Sequence, residues 1–288
     1  MKRRTFVQAG IATLATGAVG ASLAHSSSQS SPARSGRLKQ SVCRWCFGGM
    51  PLDALCKAAK EMGLASVELL GPDEWPIAAA NGLTCAVATN VAANPIGKGF
   101  NRPENHDAII EQLTDRLPLV QAAGIPNQIV FSGNRAGLSD AAGLEACVQG
   151  LTRITPLAEK LGVTLIMELL NSKIDHKDYM CDRTPWGAEL VKRVDSPRFK
   201  LLYDIYHMQI MEGDVIRTLT DNISSIGHFH TAGVPGRNEI DSTQELNYPA
   251  ICRAILKAGY TGYLGQEFMP AAKDPLASLR AAVQLCDV

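Results

Sequence analysis

Four residues in the second half of the chain have the types and the spacing for acid–base or ligand chemistry: Glu168, Asp204, His230 and Glu267. They lie 36, 26 and 37 residues apart, and each interval is about the length of one strand–helix unit. Each sits at the end of an apolar run, as in Leu165-Ile166-Met167-Glu168 and Leu201-Leu202-Tyr203-Asp204. A carboxylate buried alone is costly, so each of these needs a cation or a hydrogen-bond donor. Two glutamates, an aspartate and a histidine form a mostly oxygen donor set. That set suits one divalent ion such as Mn²⁺, Mg²⁺ or Co²⁺ better than structural zinc, which prefers sulfur and nitrogen. Arg237 closes the Gly233-Val234-Pro235-Gly236 turn after His230, where its fork can hold a carboxylate or a sugar oxygen. His207, three residues past Asp204, reads equally as a substrate contact or as loop packing. Lys98 and Arg102, in the long loop Asn90–Pro103, are candidates to recognise an acidic substrate. A lone strand histidine is more often a hydrogen-bonded core residue than a ligand, so His228 is assigned to packing. Glu68 is read as structural too.

Short apolar runs that alternate with amphipathic ones must position these residues. Strands are expected at Ser41–Phe47, Ser66–Leu70, Leu83–Thr89, Gln128–Phe131, Val163–Leu170, Lys200–Ile205, Ser225–Thr231 and Gly262–Phe268. Helices are expected near Leu52–Met62, Glu74–Ala80, Glu104–Ala123, Ser139–Leu161, Trp186–Val194, Asp214–Asp221, Tyr248–Ala258 and Pro275–Leu285. In the third of these, Ile109, Ile110, Leu113, Leu117 and Val120 form one apolar stripe, and Pro118 is expected to kink it. Eight near-continuous apolar strands, each followed by a helix, point to α/β architecture as a single (β/α)8 TIM barrel. An open doubly wound sheet is the second choice, but no GxGxxG follows the first strand.

The catalytic domain then spans 39–288, preceded by a Ser-rich linker over 25–38. Residues 1–24 read as a twin-arginine signal: Lys2-Arg3-Arg4-Thr5-Phe6, a weakly apolar stretch rich in Ala and Gly, and the small residues Ser22-Leu23-Ala24. Export to the periplasm, with no stable membrane insertion after cleavage, is the expectation. Lys+Arg and Asp+Glu balance at 28 each, which argues against a nucleic-acid partner. A homo-oligomer is left open. Eight cysteines in an exported chain invite disulfides, and Cys43-Arg44-Trp45-Cys46 has redox spacing. Placed along a strand, that motif lacks the helix N-terminus that activates such a thiol, and buried free thiols are the expected state.

The chain resembles the hydroxypyruvate isomerase family, within the xylose-isomerase-like TIM barrels. The resemblance rests on Tyr203-Asp204-Ile205-Tyr206-His207-Met208-Gln209, Ala232-Gly233-Val234-Pro235-Gly236-Arg237-Asn238-Glu239, Glu245-Leu246-Asn247-Tyr248-Pro249 and the opening Val42-Cys43-Arg44-Trp45-Cys46-Phe47. It covers nearly all of the chain after the signal. It implies a metal held by Glu168, Asp204, His230 and Glu267, the two glutamates as acid and base, and substrate contacts from His207 and Arg237. Hydroxypyruvate isomerases tend to carry glutamine where this chain has His230, as ketose epimerases do, and Leu169 replaces the family's usual asparagine. The expected activity is proton transfer between adjacent carbons of a small hydroxy-keto compound, hydroxypyruvate to tartronate semialdehyde. Ketose 3-epimerisation, or another enediolate reaction on a free or 3-keto sugar, is the nearest alternative. A non-catalytic sugar-binding barrel has no use for the paired glutamates, and a DNA-repair nuclease needs more histidines and a basic groove.

Overall fold

The structure, a computed structural model, describes residues 36–288. The proposed signal and all but the end of the linker lie outside the described residues. Eight strands run in the order β1 Lys39–Cys43, β2 Ser66–Glu68, β3 Val87–Ala88, β4 Asn127–Val130, β5 Thr164–Glu168, β6 Phe199–Asp204, β7 Ile226–Thr231 and β8 Tyr263–Gln266. All the pairings are parallel, in the spatial order β2-β1-β8-β7-β6-β5-β4-β3. Parallel bridges at Ser66–Thr84 and Leu70–Ala88 join the ends of that sheet, and the barrel closes there. The eightfold alternation is the one the sequence implies.

The helices are α1 Leu52–Glu61, α2 Trp75–Ala80, α3 Pro103–Ala122, α4 Asp140–Leu161, α5 Thr184–Val194, α6 Ile205–Met211, α7 Val215–Asp221, α8 Tyr248–Lys257 and α9 Pro275–Leu285. Their starts follow local chemistry. Ser139 caps α4 by accepting from the Ala142 N–H, and Asp274 caps α9 by accepting from Leu276 and Ala277. On α3 the buried stripe is Ile109, Leu113, Leu117 and Val120, with Ile110 at its edge. Truncating any one of these to alanine costs about 2–5 kcal/mol. α3 is one unbroken element across Pro118, as α4 is across Pro156.

Three expectations need correction. The first strand ends at Cys43, and Arg44–Phe47 turn as a short 3-10 helix, which throws Trp45 out over the barrel mouth. The third strand is only two residues long, because Leu83–Ala86 joins β2 through loop hydrogen bonds instead of a ladder. A helix missing from the sequence reading, α6, begins directly after Asp204, whose side chain caps it. Between β6 and β7 the register skips Gly227, so Leu201 pairs with Ile226 and Leu202 with His228. A Cβ at Gly227 would lie 2.9 Å from that of Lys200, so the bulge needs glycine. All eight cysteines are buried free thiols. No helix among the described residues is long and apolar enough to cross a membrane.

Candidate active site

Parallel strands all point their C-terminal ends to one rim, so side chains from the ends of different strands converge there. Glu168 ends β5, Asp204 ends β6, His230 is the penultimate residue of β7, and Glu267 directly follows β8. One ligand atom from each of the four lies within 4.8 Å of the others, and all four residues are buried. The four residues singled out in the sequence thus lie together at one rim; Cys43, Glu68 and His230 form a second close group.

Each member is oriented by a neighbour. Asp204 Oδ1 accepts from the Tyr206 N–H at 2.8 Å as the cap of α6, which turns Oδ2 toward the cluster. Glu267 Oε1 accepts from the Trp45 indole at 2.8 Å, which leaves Oε2 facing inward. Arg237 Nη2 donates to that Oε2 at 2.7 Å and lies 3.4 Å from Asp204 Oδ2. Its guanidinium stacks between the rings of Trp45 and Tyr206, 5.2 and 5.3 Å from their centroids. The Arg237 backbone is left-handed, with φ of 59°, a conformation that costs a non-glycine residue about 1–2 kcal/mol and that the loop after β7 sustains. His207 is fully buried. Its Nδ1 lies 2.7 Å from the Asn171 amide nitrogen, and its Nε2 is 3.1 Å from Arg237 Nη1 and 3.5 Å from Asp204 Oδ2.

Electrostatics show what the cluster lacks. Like charges 4 Å apart repel by about 4 kcal/mol at an effective dielectric constant near 20. Three carboxylates facing Arg237 and His230 leave one negative charge unbalanced when all are ionised. Burial, together with the charges of Glu267 and Glu168, pushes Asp204 up to about 8 against the pull of Arg237. Burial also raises Glu168. At Glu267 burial is outweighed by His230 and Arg237, which hold it well below the usual carboxylate range. His230 is raised well above the imidazole range, although burial works the other way, by Cys43 and Glu267. His230 Nδ1 is 2.9 Å from Glu267 Oε2 and 3.6 Å from Glu168 Oε1, yet it makes no hydrogen bond among the described residues. Three carboxylates and an unpartnered imidazole nitrogen gathered this closely form a donor set that fits a divalent cation.

A cavity of about 380 Å³ opens above the cluster. Glu168, Glu267 and Arg237 line it together with Trp45, Leu69, Thr89, Asn90, Phe131, Leu170 and His176. The larger groove, about 860 Å³, lies between the Glu239–Asn247 loop and α9 and holds none of the cluster. The structure does not bring Lys98 or Arg102 to the site. Lys98 is exposed, and the Arg102 guanidinium is taken up by the carbonyls of Arg135 and Ala136. The sequence reading missed Trp45 and His176. The ring of His176 meets His207 edge-on at 5.3 Å, in a loop with no periodicity to mark it. Trp45 carried a signal, as a tryptophan just beyond a strand that leads to the rim.

Comparison with known proteins agrees with the barrel fold. Residues 56–285 match the family described as Xylose isomerase-like TIM barrel. The chain belongs to that family. Among curated family relatives, it is similar to a 2-oxo-tetronate isomerase of Cupriavidus necator, with 40% identity over 111 residues. That alignment covers 38% of this chain and 42% of the relative, less than half of its length. A putative hydroxypyruvate isomerase of Homo sapiens is 26% identical over 231 residues, 78% of this chain and 77% of that one. Among solved structures, an AP endonuclease, family 2, from Brucella melitensis superposes with a TM-score of 0.73 at 25% identity, covering 84% of this chain and 97% of that one.

Proposed function

We propose that this chain is an isomerase that moves a proton between adjacent carbons of a small hydroxy-keto acid, of the hydroxypyruvate or 2-oxo-tetronate type. The observation that carries the reading is the placing of Glu168, Glu267 and Arg237 at one small cavity, with Arg237 paired to Glu267. A cavity of about 380 Å³ is near the lower end of the range for small-molecule sites, which run from about 300 to 1,000 Å³. The names of the two curated relatives support the same class of substrate. The nuclease name of the structural neighbour gains no support here: the chain has no cationic surplus, and the ligand cluster holds one histidine.

Glu168, Asp204, His230 and Glu267 would hold a divalent cation. When bound, it supplies Lewis-acid stabilisation of the negative charge that grows on a carbonyl oxygen as the neighbouring C–H is broken. The protein supplies the rest. One glutamate takes the proton from carbon, the other returns a proton to the adjacent carbon, and the hydroxyl proton passes to the former carbonyl oxygen, so the product is an isomer of unchanged charge. A well-placed base of this kind contributes about 10²–10⁴-fold. Trp45 holds Glu267 by one oxygen, so the other keeps its aim. Arg237 pairs with the substrate carboxylate; His207 is fully buried and does not line the cavity, so its place is behind Arg237, with its ring nitrogens against Asn171 and the guanidinium. We also propose that the twin-arginine sequence sends the folded chain to the periplasm.

The test is conversion. Purified chain supplied with Mn²⁺ is incubated with hydroxypyruvate, with a 2-oxo-tetronate and with a panel of ketohexoses, and products are identified by NMR. Turnover of a keto acid supports the reading. Turnover restricted to the ketohexoses would replace it with sugar epimerisation, the reaction His230 also fits.

A further inference from the structure

On the far side of His230 from the carboxylate cluster lies a second buried group, which the mechanism above does not use. Glu68 ends β2 and is fully buried. Its Oε1 is 2.7 Å from His230 Nε2, 2.9 Å from His228 Nε2 and 3.5 Å from Cys43 Sγ, the thiol of its register partner on β1. An ionised carboxylate can only accept, so each imidazole must carry a hydrogen on Nε2 to make its bond. A ring that gives up its second proton, as binding a cation requires, keeps the Nε2 hydrogen and leaves Nδ1 bare, and Nδ1 is the atom that faces Glu168 and Glu267. The fold makes room for this arrangement. A Cβ at residue 265 would lie 2.3 Å from Glu68 Oε1 and 2.8 Å from His230 Cδ2, so β8 carries glycine there. The His228 ring stands at 88° to that of His230, with centroids 5.1 Å apart, and holds the same carboxylate oxygen from below. A barrel core needs none of this for stability, since packed apolar residues commonly replace a buried ion pair without loss.

We infer that Glu68 is a positioning residue, which together with His228 locks the His230 ring in the Nε2–H tautomer so that Nδ1 is presented to a divalent cation. The inference rests on the cation-site reading above. Partners of this kind typically change metal affinity by about 10–100-fold when removed.

The experiment compares the full chain with Glu68→Leu, Glu68→Gln and His230→Gln variants and with the Glu68→Leu/His230→Gln double variant. Mn²⁺ affinity is measured by titration calorimetry, and the ¹⁵N imidazole signals are recorded with Mg²⁺ bound and, without metal, at alkaline pH. Glu68→Leu, which removes the acceptor, should weaken Mn²⁺ binding about 10–100-fold. Glu68→Gln keeps an accepting oxygen and should recover most of that loss. In the His230→Gln background, Glu68→Leu should add almost nothing. The His230 signals should place the hydrogen on Nε2. Glu68→Leu binding Mn²⁺ as tightly as the native chain would overturn the inference, as would an equal loss in both backgrounds or a hydrogen on Nδ1. If Glu68→Leu fails to fold, the tautomer of the native chain decides the matter. A native chain that binds no Mn²⁺ sinks the cation site instead, and the alkaline spectrum still reads the hold of Glu68 on His230.

Discussion

Replacing Arg237 should move metal affinity and turnover in opposite directions. Its Nη2 is 2.7 Å from Glu267 Oε2 and 3.4 Å from Asp204 Oδ2, two atoms that a cation would also claim. A unit charge and a divalent ion about 4 Å apart interact by about 8 kcal/mol at an effective dielectric constant near 20, which sets the scale of the competition. Residual solvation, and the arginine's freedom to swing aside, reduce that to about 1.4 kcal/mol, or tenfold. Arg237→Gln tolerates the left-handed backbone no worse than arginine does, and removes the charge while keeping an amide on the two rings. Calorimetry should show Mn²⁺ binding about tenfold tighter. The same variant loses the charge-assisted bonds to a substrate carboxylate, each worth about 1.5–3 kcal/mol, so kcat/KM for a keto acid should fall at least about 100-fold. An enzyme that binds Mn²⁺ more weakly, or that keeps kcat/KM within threefold, would refute the role given to this arginine.

Glu168→Gln and Glu267→Gln should each lower turnover by about 10²–10⁴-fold while circular dichroism remains native, and an active variant of either kind removes it from the proton path. Trp45→Phe keeps a ring beneath Arg237 but frees Glu267 Oε1. kcat should drop about tenfold with KM little changed, since one hydrogen bond to a charged group is worth about 1.5–3 kcal/mol. Arg102→Ala should reduce thermal stability and leave turnover unaltered, because its guanidinium braces the Arg135 and Ala136 carbonyls. Glu239 accepts from the Ala271 and Ala272 N–H groups and from the Ser278 hydroxyl; these bonds outweigh burial and lower its pKa. Its contribution is therefore fully present above the unfolded value of about 4.3 and is lost as pH falls through the lower folded value. Glu239→Gln should melt several degrees below the native chain at pH 7, and the gap should close in acid. A gap that widens there contradicts the sign.

The barrel was legible because its periodic signals are local: apolar strands of a few residues, amphipathic helices, and caps such as Ser139 and Asp274. The quartet was legible because strand ends in a barrel share one rim, so interval and position alone bring Glu168, Asp204, His230 and Glu267 together. What escaped depends on contacts across the fold. Trp45 meets Glu267 across 222 residues, and Glu68 meets His230 across 162, so no local pattern betrays either bond. Helix α6 is short, it buries His207 along with its apolar residues, and its one start signal, the Asp204 cap, reads equally as a ligand. Lys98 and Arg102 were assigned by charge and loop position alone, and a cation in a long loop is as often a brace for carbonyls as a ligand for substrate.

The central claim is that two glutamates at the rim of this barrel exchange a proton with substrate carbon. Hydroxypyruvate and Mn²⁺-supplied chain in D₂O, followed by ¹H NMR, address it directly, because wash-in reports the proton step even without net conversion. The native chain should replace the hydrogen on the carbon next to the carbonyl with deuterium, and Glu168→Gln and Glu267→Gln should not. Loss of that signal at the uncatalysed rate in all three, or at the native rate in both variants, would contradict the account.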